Sequence, residues 1–244
     1  MIHPIDHEKL ARVRRRMAEH DFSALVVRAP DNILYLTDYW CMKGYDIAIF
    51  PREGEATLLV IEPQLQEAQR TAWTNDVRAF RFYHPSDPRP PTMRSLDLAM
   101  EVLRERRLTD RVGLELSQNS QICDRMVGEP TVYTQGYFDA FRGVAQQLLD
   151  CTGLLADARM VKTPQEIERM RLANELAAIG MEYARQNIRP GMKESEGGAM
   201  IEGHIHAVGV GYLGKVEMAR AFTLVWSGPG IATFTATSHR PVVP

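Results

Sequence analysis

Cysteine is scarce in this sequence, with Cys41, Cys123 and Cys151 the only three among 244 residues. An odd number at wide spacing fits neither a disulfide framework nor a CxxC metal site, so all three read as reduced, partly buried thiols. An excess of charge of one sign is lacking too. The 29 Lys and Arg are scattered among 31 Asp and Glu, for a formal net charge of −2. Such a balance lacks the electrostatic footprint of a nucleic-acid binder. Long apolar runs are missing as well: Ala24 to Val27 and Thr57 to Ile61 are strand-sized and far short of the ~20 residues that cross a bilayer. No membrane partner is expected. The opening Met1-Ile2-His3-Pro4-Ile5-Asp6-His7 has no basic start, apolar middle or small-residue cleavage site of a secretory signal, which points to a cytoplasmic location.

What is present is apolar content, 45% of the chain, enough to bury one large core or two modest ones. From Asp6 to His20, Leu10, Val13 and Met17 recur at helical spacing beside the basic Arg12, Arg14, Arg15 and Arg16, which predicts an amphipathic helix. Phe22 to Val27 reads as a buried strand, Ala29 to Asn32 as a turn, and Ile33 to Leu36 as a short apolar segment. Tyr45 to Phe50 and Ala56 to Ile61 read as strands joined into a hairpin by Pro51-Arg52-Glu53-Gly54. Gln64 to Arg70 has helical character, Val77 to Tyr83 strand character, and His84 to Pro91 is a proline-rich surface loop. Met93 to Arg107 is predicted helical and Val112 to Leu116 a strand. Alternation of this kind implies an α/β layered domain with a mixed sheet.

The sharpest local signal is Met160-Val161-Lys162-Thr163-Pro164-Gln165-Glu166-Ile167. Thr163 stands as N-cap, Pro164 as first helical residue and Glu166 as the closing member of a capping box. The helix that starts there carries Ile167, Met170, Ala173, Ala177, Met181 and Ala184 as its apolar stripe and stops at Arg189-Pro190-Gly191. A domain boundary is expected just before it, at Asp157 to Arg159, dividing the chain into 1–158 and 159–244. A second helix, Lys193 to Val208, glycines at 209, 211 and 214, and a strand from Ala221 to Trp226 complete the reading.

In order along the chain, several of these segments resemble one family. Ala24-Leu25-Val26-Val27-Arg28-Ala29-Pro30-Asp31-Asn32-Ile33-Leu34-Tyr35-Leu36-Thr37 is similar to a segment in the N-terminal α/β domain of creatinases, aminopeptidases P and prolidases. Leu154 to Ile167 resembles their inter-domain junction, Arg189-Pro190-Gly191-Met192-Lys193-Glu194 a following element, and Ser227-Gly228-Pro229 the end of a later strand. The resemblance implies a creatinase-type mixed-sheet domain followed by the first part of a pita-bread α+β domain. It implies hydrolysis of a C–N bond, often the bond before proline, with a small-molecule or short-peptide substrate, and a homodimer in which the N-terminal domain leans over the other subunit's active site. Tyr35, Trp40 and Tyr45, around the loop after Leu36, are then candidates to face substrate, with simple core packing as the alternative.

The family's metal cage takes two Asp, one His and two Glu to hold a divalent pair such as Mn, Co or Zn. The resemblance implies that these residues fall beyond Pro244, so no metal ligand is expected in this chain. At the spacing after Ser227 where the family carries a histidine stands Thr235, and the nearest imidazole is His239, the candidate catalytic residue; the alternative is a loop histidine beside Arg240. His204 and His206 are two apart on a helix, point to different faces and are not expected to share an ion. Asp38, Asp46 and Glu62 read as solvated surface carboxylates. A non-catalytic dimerisation module competes with the hydrolase reading. Relatives that split a sulfonium osmolyte or open ectoine keep the same fold with other chemistry.

Overall fold

The structure, a computed structural model, describes residues 3–41, 44–117, 134–228 and 238–243. Cys123, Thr235 and Pro229 lie outside the described residues. The chain divides into two compact units, one from Ile2 to Thr163 and the other from Pro164 onward.

The first unit is a six-stranded mixed sheet. Its strands are β1 (Ala24–Val27), β2 (Ile47–Pro51), β3 (Thr57–Ile61), β4 (Asp76–Phe80), β5 (Arg111–Leu114) and β6 (Gln147–Asp150), in the order β4-β3-β2-β1-β5-β6. The β2–β3 hairpin is antiparallel and continues into antiparallel β1, whereas β4, β5 and β6 join in parallel. Parallel pairing requires crossovers, supplied by α3 (Leu65–Thr71) between β3 and β4 and by α5 (Gln135–Arg142) between β5 and β6. The strand period of two splits the sheet's apolar residues between two cores. Leu25, Val27, Ala48, Phe50, Leu58 and Val60 pack on the side of α1 (His7–Glu19), α2 (Pro30–Thr37) and α6 (Thr152–Met160). Ala24, Val26, Ile47, Ile49, Leu59, Val112 and Leu114 pack on the side of α4 (Pro91–Glu105) and α5. Burial on both faces explains why these strands read as continuous apolar runs.

Three local expectations change. The turn and apolar segment expected over Ala29 to Leu36 are one helix, α2, with Pro30 in its first turn. What stabilises it comes from far away in sequence: the Glu115 carboxylate accepts from the Arg28 and Ala29 amides at 2.8 and 3.2 Å and from Asn32 Nδ2 at 2.7 Å, at the positive end of the helix. The elements α5, β6 and α6 are additions. Because α6 buries Leu154, Leu155 and Ala158 in the first core, the units part at the Thr163–Pro164 cap. There the Thr163 hydroxyl donates to Asp6, which also caps α1 by accepting from the Lys9 amide at 3.1 Å.

The second unit is built on the helical pair α7 (Pro164–Asn187) and α8 (Glu194–Gly209). The buried row of α7 is Leu176, Gly180 and Ala184; it shares Ala184 with the expected stripe, of which Ile167, Met170 and Met181 are exposed. Contact with α8 through glycine sets that row, since a Cβ on Gly180 would stand 2.4 Å from Ile205 Cδ1. Ala221 to Trp226 is not a strand. Two amides here donate to glutamates of α8: Thr223 N to Glu202 Oε1 at 2.7 Å and, just past the segment, Ser227 N to Glu194 Oε1 at 3.1 Å. Among the described residues no helix is long and apolar enough to cross a membrane.

Candidate functional site

The segment after α2 carries most of the chemistry that the sequence nominated. Asp38 ends the helix in the left-handed conformation at φ 58° and is buried. Its carboxylate pairs with His3 Nδ1 at 2.9 Å. Tyr39 is buried beneath the loop, Trp40 is half-buried, and Gly44 hands its carbonyl to Arg28 Nη2 at 3.1 Å. Tyr45 packs on Phe82 with ring centroids 5.9 Å apart. Phe82 and its neighbour Tyr83 are exposed. Tyr45 thus meets an aromatic partner that lies just past the end of β4, 37 positions downstream, and that gave no local signal in the sequence.

Tyr35 is placed differently. Its ring is buried, its hydroxyl donates to the Ala158 carbonyl at 3.0 Å, and Lys9 Nζ lies 4.6 Å from its ring centre and 4.7 Å from that of Trp73. Lys9 is itself buried, so the two aromatic faces take over part of the ammonium's solvation.

Asp46 corrects the reading of its type as solvated surface: the residue is 0% exposed, and neither carboxylate oxygen has a hydrogen-bond partner. Burial drives its carboxyl well above the usual carboxylate range, opposed by the Ile61 amide, which lies near but outside hydrogen-bond geometry. Asp38 is likewise buried, and Glu62 alone of the three is half-exposed beside Arg81.

In the second unit, Glu194 joins motifs that the sequence showed only as separate elements. It is fully buried at the head of α8 and accepts from Ser227 N and from Ser238 Oγ, both at 3.1 Å, with Arg240 Nε 3.8 Å away. Burial raises its carboxyl, but the Ser227 amide, the Ser238 hydroxyl and the Arg240 charge outweigh that and hold it below the ordinary value. Backbone bonds from Glu194 N to Arg240 O and from Ser195 N to Ser238 O, at 2.9 and 3.0 Å, complete the clamp. His239 sits between the clamped residues on an exposed turn. His204 stacks on Tyr183 at 3.9 Å and 5°, while His206 Nδ1 meets the Ala219 carbonyl at 2.8 Å, so the two imidazoles have separate environments. Among the described residues no three His, Cys, Asp or Glu side chains converge as metal ligands, and the residues present do not fit the family's metal pair.

Comparison with known proteins agrees with the architecture. A family model described as the creatinase/prolidase N-terminal domain matches residues 9–161. An ectoine hydrolase of Halomonas elongata is 26% identical over 213 residues, covering 83% of this chain and 48% of its own length. An uncharacterized hydrolase/peptidase of Sinorhizobium fredii is 25% identical over 191 residues, covering 77% of this chain and 46% of its own length. The X-Pro aminopeptidase structure from Thermotoga maritima superposes with a TM-score of 0.70 over 96% of this chain and 57% of its own, at 17% identity, which shows a shared fold. The chain spans about half the length of the curated relatives it matches. With that match across most of the first unit, on a mixed sheet whose helix α2, Glu115 cap and Thr163–Pro164 junction hold the motifs in order, the chain belongs to the creatinase/prolidase N-terminal domain family.

Proposed function

We propose that this chain is the N-terminal part of a hydrolase that cleaves a C–N bond in a proline peptide or a small nitrogen compound. The observation that carries the reading is the family match over residues 9–161 together with curated relatives named as hydrolases. Within it, Trp40 and Tyr45 are the residues we assign to substrate, supported by the half-burial of the Trp40 indole and the contact of Tyr45 with the exposed Phe82. Tyr35, buried with its hydroxyl on the Ala158 carbonyl, is assigned to packing instead. His239, exposed on its turn, is the imidazole available for proton transfer in the second unit. We further propose a cytoplasmic homodimer and, in the full-length protein, a divalent metal pair of Mn, Co or Zn that would activate water. The unit after Pro164 is then the first part of a pita-bread domain.

A second reading has its own observation. The relative named ectoine hydrolase shares 26% identity with this chain, so opening of a cyclic amidine is the alternative chemistry. One experiment separates the readings: metal content and hydrolysis of Xaa-Pro dipeptides, creatine and ectoine, assayed on this chain and on its gene read on past Pro244. Turnover of a proline dipeptide or of creatine supports the first reading, turnover of ectoine alone supports the second, and turnover of none of them in either product rejects both in favour of a non-catalytic dimerisation module.

A further inference from the structure

Along the β5–β6 pair lies a groove of about 310 Å3, lined by His20, Phe22, Arg111, Leu149, Asp150 and Leu154. All six belong to the first unit, and none of them is assigned to substrate, metal or proton transfer. The volume is at the small end of the range for small-molecule sites. The two strands run parallel, with Arg111 opposite Gln147 at their start and Leu114 opposite Asp150 at their end. Buried Phe22 lies against β5, its Cδ1 3.0 Å from the place a Cβ on Gly113 would take, and Leu149 stands opposite Gly113 on β6. Leu154, also buried, comes from the first turn of α6. The middle of the groove is therefore apolar.

Its two ends differ in charge. At the start of the strands Arg111 Nε donates to the Asp21 carbonyl at 2.8 Å and Nη1 to Gln147 Oε1. The Asp21 carboxylate lies 3.4 Å from Arg111 and 3.1 Å from Arg52, so one anion is shared by two guanidiniums. Exposed His20, its ring tilted on Phe22 at a centroid distance of 6.5 Å, adds an imidazole to the same end. At the other end the Asp150 carboxylate accepts from Thr152 N at 2.9 Å, from Leu116 N at 3.2 Å and from the Ser117 hydroxyl. Burial raises its carboxyl, but the bonds from Ser117, Thr152 and Leu116 outweigh that and hold it below the ordinary value, so it is an anion at neutral pH. Three residues separate the ends along the strands, about 10 Å. An extended dipeptide carries its ammonium and carboxylate about 7 Å apart, and side chains reaching in from both ends make up the rest. A single amino acid is too short, because its two charges sit on neighbouring atoms.

We propose that this groove binds a zwitterionic apolar dipeptide, with its carboxylate at Arg111 and His20, its ammonium towards Asp150 and an apolar side chain on Phe22, Leu149 and Leu154. The assignment does not rest on the hydrolase reading, since it concerns binding in the first unit and not turnover. Leucyl-leucine is titrated into the full chain in the presence of EDTA, and the methyl resonances of Leu149 and Leu154 are followed by NMR. N-acetyl-leucyl-leucine, leucyl-leucinamide and leucine are titrated in parallel. The expected result is a saturable shift of both leucines with a roughly millimolar Kd, weakened about tenfold by either blocking group, each of which removes a charged hydrogen-bonding end. Leucine should bind more weakly than the dipeptide. His20→Gln should weaken the dipeptide severalfold, Arg111→Gln should abolish the difference between dipeptide and amide, and Arg171→Gln, exposed on α7, should change nothing. Shifts that do not saturate, or that fall on the second unit instead, overturn the assignment. Equal binding of the dipeptide and both blocked forms reduces the groove to an apolar crevice, and sensitivity to only one blocking group removes the zwitterion; either result also overturns it, as does leucine binding as tightly as the dipeptide. If Arg111→Gln does not fold, the ligand series on the wild type and His20→Gln decides the matter.

Discussion

Single residues here are governed by whether their polar atoms find partners. Glu194 is buried and satisfied, with a carboxyl held below its ordinary value. For a depressed carboxyl, stability is present above the unfolded value of roughly 4.3 and is lost as pH falls through the folded one. Glu194→Gln should therefore lower the thermal midpoint at pH 7, and the deficit should shrink on acidification below about pH 4, as read by calorimetry. Asp46 has the opposite sign, and its penalty grows as pH rises. Trp40, half-buried and proposed to face substrate, has a functional test: on a substrate that the proposed hydrolysis assay identifies, Trp40→Ala should reduce kcat/KM about tenfold while the melting temperature changes little. An equal loss of stability would instead place the indole among the packing residues. The sequence nominated Tyr35, Trp40 and Tyr45 as one group, but it could not separate them, because the bond from Tyr35 to the Ala158 carbonyl spans 123 positions.

At the scale of elements, close approach decides more than propensity does. In β5, a Cβ on Gly113 would stand 2.7 Å from Leu25 Cδ2 and 2.9 Å from Cys151 Cβ. Gly113→Ala should cost about 1–3 kcal/mol in chemical denaturation, since atoms of a packed sheet must shift. In α7, Gly180→Ala gains helix propensity of roughly 1 kcal/mol but meets Ile205, so its net cost should be smaller. Adding Ile205→Val should recover part of that cost, a coupling that a double-mutant cycle measures. Periodicity made α1, the hairpin, α4 and α7 legible, because each carries its own pattern or cap. It misread α2, whose N-terminus is stabilised by Glu115 just past β5, and Ala221 to Trp226, where the Thr223 amide is taken by Glu202 of α8.

For the whole molecule, exposed Ile167, Met170 and Met181 on α7, with Phe222 and Leu224, leave apolar surface in the second unit. Such surface favours association. Light scattering on this chain should show a mass that rises with concentration, whereas a constant monomer mass at high concentration would show these side chains tolerated in water. The order of motifs, the alternation of helices and strands, the start of α7 at Pro164 and the family resemblance were determined by the sequence alone, since each rests on neighbours within a few turns of chain. The face of α7 that meets α8, the burial of Asp46 and the joining of Glu194 to Ser227 and Ser238 were decided only by tertiary structure. Those features depend on which distant groups share a dry environment, and local spacing carries no record of that.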